Sequence, residues 1–167
     1  MNSKVEQIKK SDCEEQLENV WKKVPKRGKG NKIMKELNIA NNSLSTNASN
    51  HSDMSGVIAI ADAIPTIGAL VTVNVMGNKI GNEQLSKLQE MMQAHPTLVS
   101  LCGIANDATE ANLSGLKMDA DDAVILAAEL PAKGAITSLN ISNNNLTNYG
   151  GDMSGVEALA AAIPECK

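Results

Sequence analysis

Residues Ile136–Leu146 read ITSLNISNNNL, and residues Met34–Leu44 read MKELNIANNSL. A third stretch, Leu70–Ile80, reads LVTVNVMGNKI and has the same spacing of aliphatic residues and asparagine. All three fit the pattern L-x-x-L-x-L-x-x-N-x-L, where L stands for an aliphatic residue or Met. A pattern that recurs within one chain indicates a repeated structural unit, because each unit then needs the same strand and the same turn.

The composition suits many small, similar layers rather than one large core. The 167 residues include no Phe, one Trp and one Tyr, so core volume has to come from aliphatic residues and Met. The charge is divided along the chain: residues 1–36 hold ten Lys or Arg and six Asp or Glu, and the rest hold five and thirteen. This division indicates two parts with different roles.

Four amphipathic helices are predicted between and after the strands. Apolar residues at positions i, i+3 and i+7 share one helical face, and they occur as Val57/Ile60/Ile64, Leu85/Leu88/Met92, Ala123/Leu126/Leu130 and Val156/Leu159/Ile163. Each helix is expected to end at a proline, which lacks the N–H that a further turn needs: Pro65, Pro96, Pro131 and Pro164. Asp53 and Asp152 are expected to accept hydrogen bonds from first-turn amides.

The middle of the array is less regular. Residues 98–108 are predicted to form an extra strand and turn without a helix, and residues 108–118 a degenerate repeat strand. In that strand Ala111 stands where the pattern has a leucine, and Leu116 stands where it has the asparagine.

Residues 1–32 are predicted to form an N-terminal capping helix, over residues 4–23, and a basic linker. The helix would cover the first layer of the array. The segment Lys22–Lys32 holds six basic residues in eleven and is interpreted as a solvated linker. The alternative is contact with phosphates, an acidic protein or a nuclear-import receptor. Specific nucleic-acid binding is not expected, because no aromatic residues are present there to stack on bases.

The asparagine of each pattern is predicted to be structural. Where the chain leaves a strand, backbone groups lose their ladder partners, and an amide offers both a donor and an acceptor. A buried polar group without a partner costs about 1–3 kcal/mol. We therefore interpret Asn42, Asn78 and Asn144 as supports of the turns.

The repeated pattern, in units of about 28 residues with a full helix in each, resembles the ribonuclease-inhibitor-like class of leucine-rich repeats. The resemblance covers residues 33–164. It implies an α/β leucine-rich-repeat solenoid, a short curved array with parallel strands on the concave face and helices on the convex face, after the N-terminal helix. Residues 33–167 would hold about four helix-containing repeats and the insertion at 98–108. Similar arrays occur in nuclease inhibitors, activators of Ran-type GTPases and innate-immune receptors.

Catalytic and metal chemistry is not indicated. His51 and His95 stand in no recognisable motif with a nucleophile and an orienting acid. The segment Asp119–Asp122 lacks the ligand spacing and the Gly of a calcium loop and suits a helix N-terminus. Neither a disulfide framework nor a zinc site is predicted, because the cysteines are odd in number and widely spaced: Cys13, Cys102 and Cys166. We expect a non-enzymatic protein without a metal or cofactor.

We expect a protein-protein interaction module or scaffold that binds a protein partner through the outward strand positions. These positions are small, polar and weakly charged: Lys35, Glu36, Asn38, Thr72, Asn74, Ser100, Cys102, Asn112, Thr137, Ser138 and Asn140. The alternatives are a regulator of a GTPase or hydrolase, or a fragment of a longer array. Arg27 is the only arginine and precedes the repeats, which disfavours an arginine-finger role.

The N-terminus has no apolar run typical of a secretory signal, and no segment has the apolar length of a membrane span. We therefore expect a cytoplasmic protein, with nuclear import through residues 22–32 as the alternative. The sequence stops directly after the fourth helix and its proline. At this C-terminal end we expect self-association, docking of a partner or continuation into a longer array, since an unpaired strand edge favours pairing with another chain; the alternative is a short edge strand that frays in water.

Overall fold

The structure, a computed structural model, describes residues 32–45 and 53–166. In these residues it is a mixed α/β structure with four α-helices, which confirms the predicted class. Strands and helices alternate in the order β1 Glu36–Asn38, α1 Ser55–Ala63, β2 Thr72–Asn74, α2 Asn82–Ala94, β3 Glu110–Asn112, α3 Ala120–Glu129, β4 Ser138–Asn140 and α4 Ser154–Ala162. The predicted capping helix, the basic segment up to residue 31 and His51 lie outside the described residues.

The strands form two parallel pairs. β1 pairs with β2, with Leu37 opposite Val73. β3 pairs with β4, with Ala111 opposite Leu139. The degenerate pattern at 108–118 therefore still forms a strand, in register with the regular pattern at 136–146.

Residues 98–108 lie against the other edge of β2. The N–H of Val99 donates to the carbonyl of Val71 at 2.8 Å, and the N–H of Val73 donates to the carbonyl of Ser100 at 2.9 Å. Ser100 forms an isolated parallel bridge with Thr72. All of residues 98–108 are described, and they form no helix. β2 is thus flanked on both sides by backbone.

Polar side chains accept first-turn amides at the starts of α1, α3 and α4, α2 begins after Gly81 without a side-chain cap, and each of the four described helices ends close to a proline. Asp53 accepts the N–H of Ser55 at 3.0 Å, and Asp152 accepts the N–H of Ser154 at 2.9 Å. Hydrogen bonds from the serine hydroxyl, as the largest cause, and from the serine N–H lower the pKa of each of the two carboxyls. Three helices continue into a short 3₁₀ turn that contains the proline, and α2 ends just before Pro96.

The acidic segment before α3 forms a reciprocal cap. Asp119 is the N-cap residue, and its side chain accepts the N–H of Asp122 at 3.2 Å. The side chain of Asp122 in turn accepts the N–H of Asp119 at 3.1 Å. The predicted helix N-terminus is therefore confirmed, since both carboxylates serve amides of the first turn.

The apolar core is deepest around β2, α2 and α3. α1 packs against α2, and α3 packs against α4. Leu37 and Leu139, the central residues of β1 and β4, are only half-buried. The largest fully buried apolar side chains are Ile64, Leu70, Val73, Val75, Met76, Leu88, Leu101, Met118, Ile125 and Leu126.

Candidate functional site

The outward side chains of β1, β3 and β4 form the candidate site. In each of these strands the first and third residues are exposed and the middle residue is half-buried. We define the strand face as the exposed positions among those expected to contact a partner: Lys35, Glu36, Asn38, Asn112, Thr137, Ser138 and Asn140.

Four other positions expected on this face are buried, and their outward placement is wrong. They are Thr72, Asn74, Ser100 and Cys102, which expose between 0% and 8% of their surface. Thr72 and Asn74 are covered because the insertion at 98–108 pairs along the other edge of β2, and Ser100 and Cys102 are buried within that insertion. A Cβ atom on Gly103 would approach the Cβ of Asn74 to 2.9 Å, so the Gly103 backbone packs directly against the side chain of Asn74.

A buried glutamate holds the insertion in place. Glu129, at the end of α3, accepts a hydrogen bond from the hydroxyl of Ser100 at 2.6 Å and from the N–H of Leu101 at 2.7 Å. The Ser100 hydroxyl oxygen also accepts the N–H groups of Cys102 at 3.0 Å and Ile104 at 3.1 Å. These bonds direct the Ser100 side chain inward, although its position in the pattern predicted an outward, exposed side chain.

A buried lysine completes the attachment. The ammonium of Lys133 donates to the carbonyl of Val99 at 2.9 Å and to Oδ1 of Asn106 at 2.8 Å. Burial lowers the pKa of Lys133. Sequence reasoning missed both Lys133 and Glu129. The sequence feature that could have indicated them is a pair of charged residues inside the otherwise apolar run from Val124 to Ile136.

Cys102 lies in the same buried region. Burial, with the nearby Glu129 carboxylate as the next cause, raises its pKa well above the ordinary value. A thiol with a raised pKa is protonated at neutral pH and is a poor nucleophile. Cys102 therefore acts as a small core residue.

An asparagine ends each of the four strands in the described residues and turns the chain. In each case Oδ1 accepts the N–H of the residue two positions later, at 3.1 Å. The four residues are Asn38, Asn74, Asn112 and Asn140. In the register of the sheets Asn38 lies opposite Asn74, and Asn112 lies opposite Asn140. The sequence signal was an Asn at the same place in every pattern, but its role in the turn was not predicted.

A second column of asparagines links neighbouring units. Asn78 donates to the carbonyls of Val75 at 2.7 Å and Ile39 at 2.9 Å, and its Oδ1 accepts the N–H of Asn42 at 2.9 Å. Asn144 repeats this arrangement: it donates to the carbonyls of Ile141 and Leu113, both at 2.9 Å. One amide in each pair of units thus satisfies backbone groups at the ends of two strands.

Asn42 behaves differently from the inward support that the pattern predicts. It is exposed, and among the described residues its side chain bonds only the carbonyl of Ala40, at 3.0 Å, within its own turn. In the turns after β1 and β2, it is the side chain of Asn78 that hydrogen-bonds backbone groups of both turns.

The residue before the pattern asparagine is left-handed in all four units. Asn41, Gly77, Gly115 and Asn143 have φ values of 56°, 72°, 68° and 57°. Asn and Gly are the residue types that adopt this conformation most readily. The unit with Leu116 in place of Asn therefore keeps the same turn.

The described residues hold no group of three or more His, Cys, Asp or Glu side chains placed to bind a metal ion. In the same part of the chain, no helix combines the length and apolar character needed to cross a membrane. Comparisons with models of known protein families and with curated protein sequences find no match.

Proposed function

We propose that this chain is a non-enzymatic, intracellular protein-binding module of the ribonuclease-inhibitor-like leucine-rich-repeat type, with the strand face as its concave contact surface. Three observations support the repeat architecture. Strands and helices alternate, the strand pairs are parallel, and every strand ends in the same asparagine turn.

The ordered amides on the strand face carry the proposal. Asn38, Asn112 and Asn140 are exposed, and their Oδ1 atoms are engaged in the turns. Their Nδ2 groups have no partner among the described residues. Each amide is therefore held in one orientation with its donors available. Because these N–H donors already have a fixed orientation, they lose less conformational entropy on binding. Since they donate, they favour a partner rich in carbonyl or carboxylate oxygens.

The flanking side chains suit a protein surface rather than a small ligand. Glu36 and Ser138 are exposed and polar, and neither lines the two cavities beside α1 and α2. Exposed polar side chains of this kind are typical of the rim of a protein-protein contact.

The test is capture of partners from the source cell with the strand face altered. Glu36→Arg with Ser138→Arg places two large cations on the face at positions whose side chains make no hydrogen bond among the described residues. Asn74 is unsuitable for such a test because it is buried. The matched control is Ala128→Arg with Ala160→Arg, at exposed positions of α3 and α4.

We expect the strand-face variant to lose the captured proteins and the helix variant to retain them, with circular dichroism unchanged in both. Equal capture by the two variants would contradict the assignment of the contact surface.

A further inference from the structure

Two neighbouring cavities follow the groove between α1 and α2. The larger has a volume of about 420 Å³ and an apolar wall that includes Val57, Ile58 and Ala61. The smaller has a volume of about 160 Å³ and lies at the end of α2, where His95 forms part of its wall. Pro65 and Met91 line both cavities. A methionine side chain is flexible enough to rotate and join them.

His95 brings a polar atom to this apolar groove. Its Nδ1 accepts the N–H groups of Thr97 at 3.3 Å and Leu98 at 3.1 Å. A ring nitrogen that accepts hydrogen bonds carries no proton, so the neutral ring carries its proton on Nε2. His95 is 9% exposed, and its Nε2 is buried without a hydrogen-bond partner among the described residues. The ring of His95 thus lies in the wall of the smaller cavity, but its unpartnered Nε2–H is covered, so a ligand reaches it only after a neighbouring side chain such as Met91 moves.

We propose that the groove binds a small, uncharged, apolar molecule whose terminal carbonyl oxygen accepts the hydrogen bond from Nε2 of His95. The carbon chain lies along Val57, Ile58 and Ala61, and Met91 moves aside to admit it. The carbonyl satisfies a donor that otherwise stays unpaired, which is the main gain beyond apolar burial.

The same geometry disfavours a carboxylate. A buried anion needs a cation or several donors, and the ring offers one donor at most, because its Nδ1 already accepts the N–H groups of Thr97 and Leu98. Among the described residues one lysine lines the groove, Lys87, and it is paired with Glu83 at 2.7 Å in the solvent-exposed first turns of α2. This site is separate from the strand face and does not depend on the proposed function.

The test uses the ¹⁵N-labelled full chain, titrated with 2-octanone and, separately, with octanoate. We expect 2-octanone to shift the side-chain Nε2–H signal of His95 and the amide signals of Val57, Met91 and Leu98 saturably. Octanoate is expected to bind at least about tenfold more weakly.

Two variants test the two parts of the site. His95→Asn keeps an acceptor for the amides of Thr97 and Leu98 but removes Nε2–H, and Ala61→Leu fills the larger cavity. Each should weaken 2-octanone binding by about tenfold or more. The proposal is overturned by the absence of saturable shifts, by an unmoved Nε2–H signal in the unmodified chain, or by octanoate binding as tightly as the ketone. Undiminished binding to a folded variant overturns it as well.

Discussion

The carboxylate of Asp122, in α3, accepts a hydrogen bond from the backbone N–H of Gly77, in the turn after β2, at 3.0 Å. The same oxygen, Oδ2, accepts the N–H of Asp119 at 3.1 Å. One side chain, only 2% exposed, therefore joins the cap of α3 to the turn of the preceding regular unit.

This buried carboxyl predicts a pH dependence of stability. Burial, with the nearby charge of Asp119 as a second cause, raises the pKa of Asp122 from 3.8 to about 7. Between these values the folded protein keeps a proton that the unfolded chain has released. The contribution of Asp122 to the free energy of unfolding is therefore fully present below about pH 4 and is lost as the pH rises to about 7.

Asp122→Asn isolates this effect. The two backbone donors share one oxygen, so the amide Oδ1 can accept both, and the amide does not titrate. In denaturant titrations from pH 4 to pH 7.5, we expect the unmodified chain to lose stability relative to the variant by at most about 4 kcal/mol. Parallel stability profiles for the two proteins would show that Asp122 titrates normally.

Gly77→Ala should be strongly destabilising. The added Cβ would meet the carbonyl oxygen of Leu116, in the turn after β3, well inside van der Waals contact. Gly115→Ala is the matched control, because its φ is similarly left-handed but no atom lies within 4 Å of the added Cβ. We expect Gly115→Ala to cost about 1–2 kcal/mol and Gly77→Ala at least about 2 kcal/mol more. Equal costs in thermal or denaturant unfolding would show that the two turns do not touch.

Asn144→Ala should destabilise by about 1–3 kcal/mol, since it leaves the carbonyls of Leu113 and Ile141 without this donor. Asn78→Ala should cost more, because Asn78 is fully buried. The control is Asn143→Gly, since Asn143 is left-handed and glycine adopts that conformation without strain. A near-neutral Asn144→Ala, or a control as costly as Asn144→Ala, would contradict the assigned hydrogen bonds.

Self-association is expected through two exposed apolar residues that flank α4, Met153 at its N-cap and Ile163 just after its last residue. Ile163 is 62% exposed and Met153 is 48% exposed, and removal of such side chains from water favours contact between copies. We expect the apparent mass in sedimentation to rise with concentration, and to stay constant for Met153→Glu with Ile163→Glu. A constant mass for the unmodified chain at high concentration would exclude this contact.

The local elements were predictable because each depends on residues close in sequence. Aliphatic alternation around Leu37, Val73 and Leu139 gave the strands, and helical spacing with a following proline gave the helices. Even β3 was predicted, within the degenerate repeat strand at 108–118, although Ala111 is a weak match to the pattern.

The site was less predictable, because exposure depends on contacts between distant residues. Glu129 and Lys133 hold the insertion at 98–108 against the edge of β2. The insertion in turn covers Thr72 and Asn74. The local sequence does not indicate that a charged side chain at the end of one helix will hydrogen-bond the backbone of a segment about thirty residues earlier. The turn role of the strand-end asparagines was missed for another reason: their outward position suggested contact with a partner alone.

The proposed contact surface is tested most directly by the side-chain amide signals of Asn38, Asn112 and Asn140. A partner captured with the unmodified chain would be added to the ¹⁵N-labelled chain, and the amide signals of both faces would be followed. We predict that the Nδ2 signals of these three asparagines shift on binding, while backbone signals of exposed helix positions such as Ala128 and Ala160 stay in place. Shifts confined to the helices, with the three Nδ2 signals unmoved, would contradict binding through the strand face.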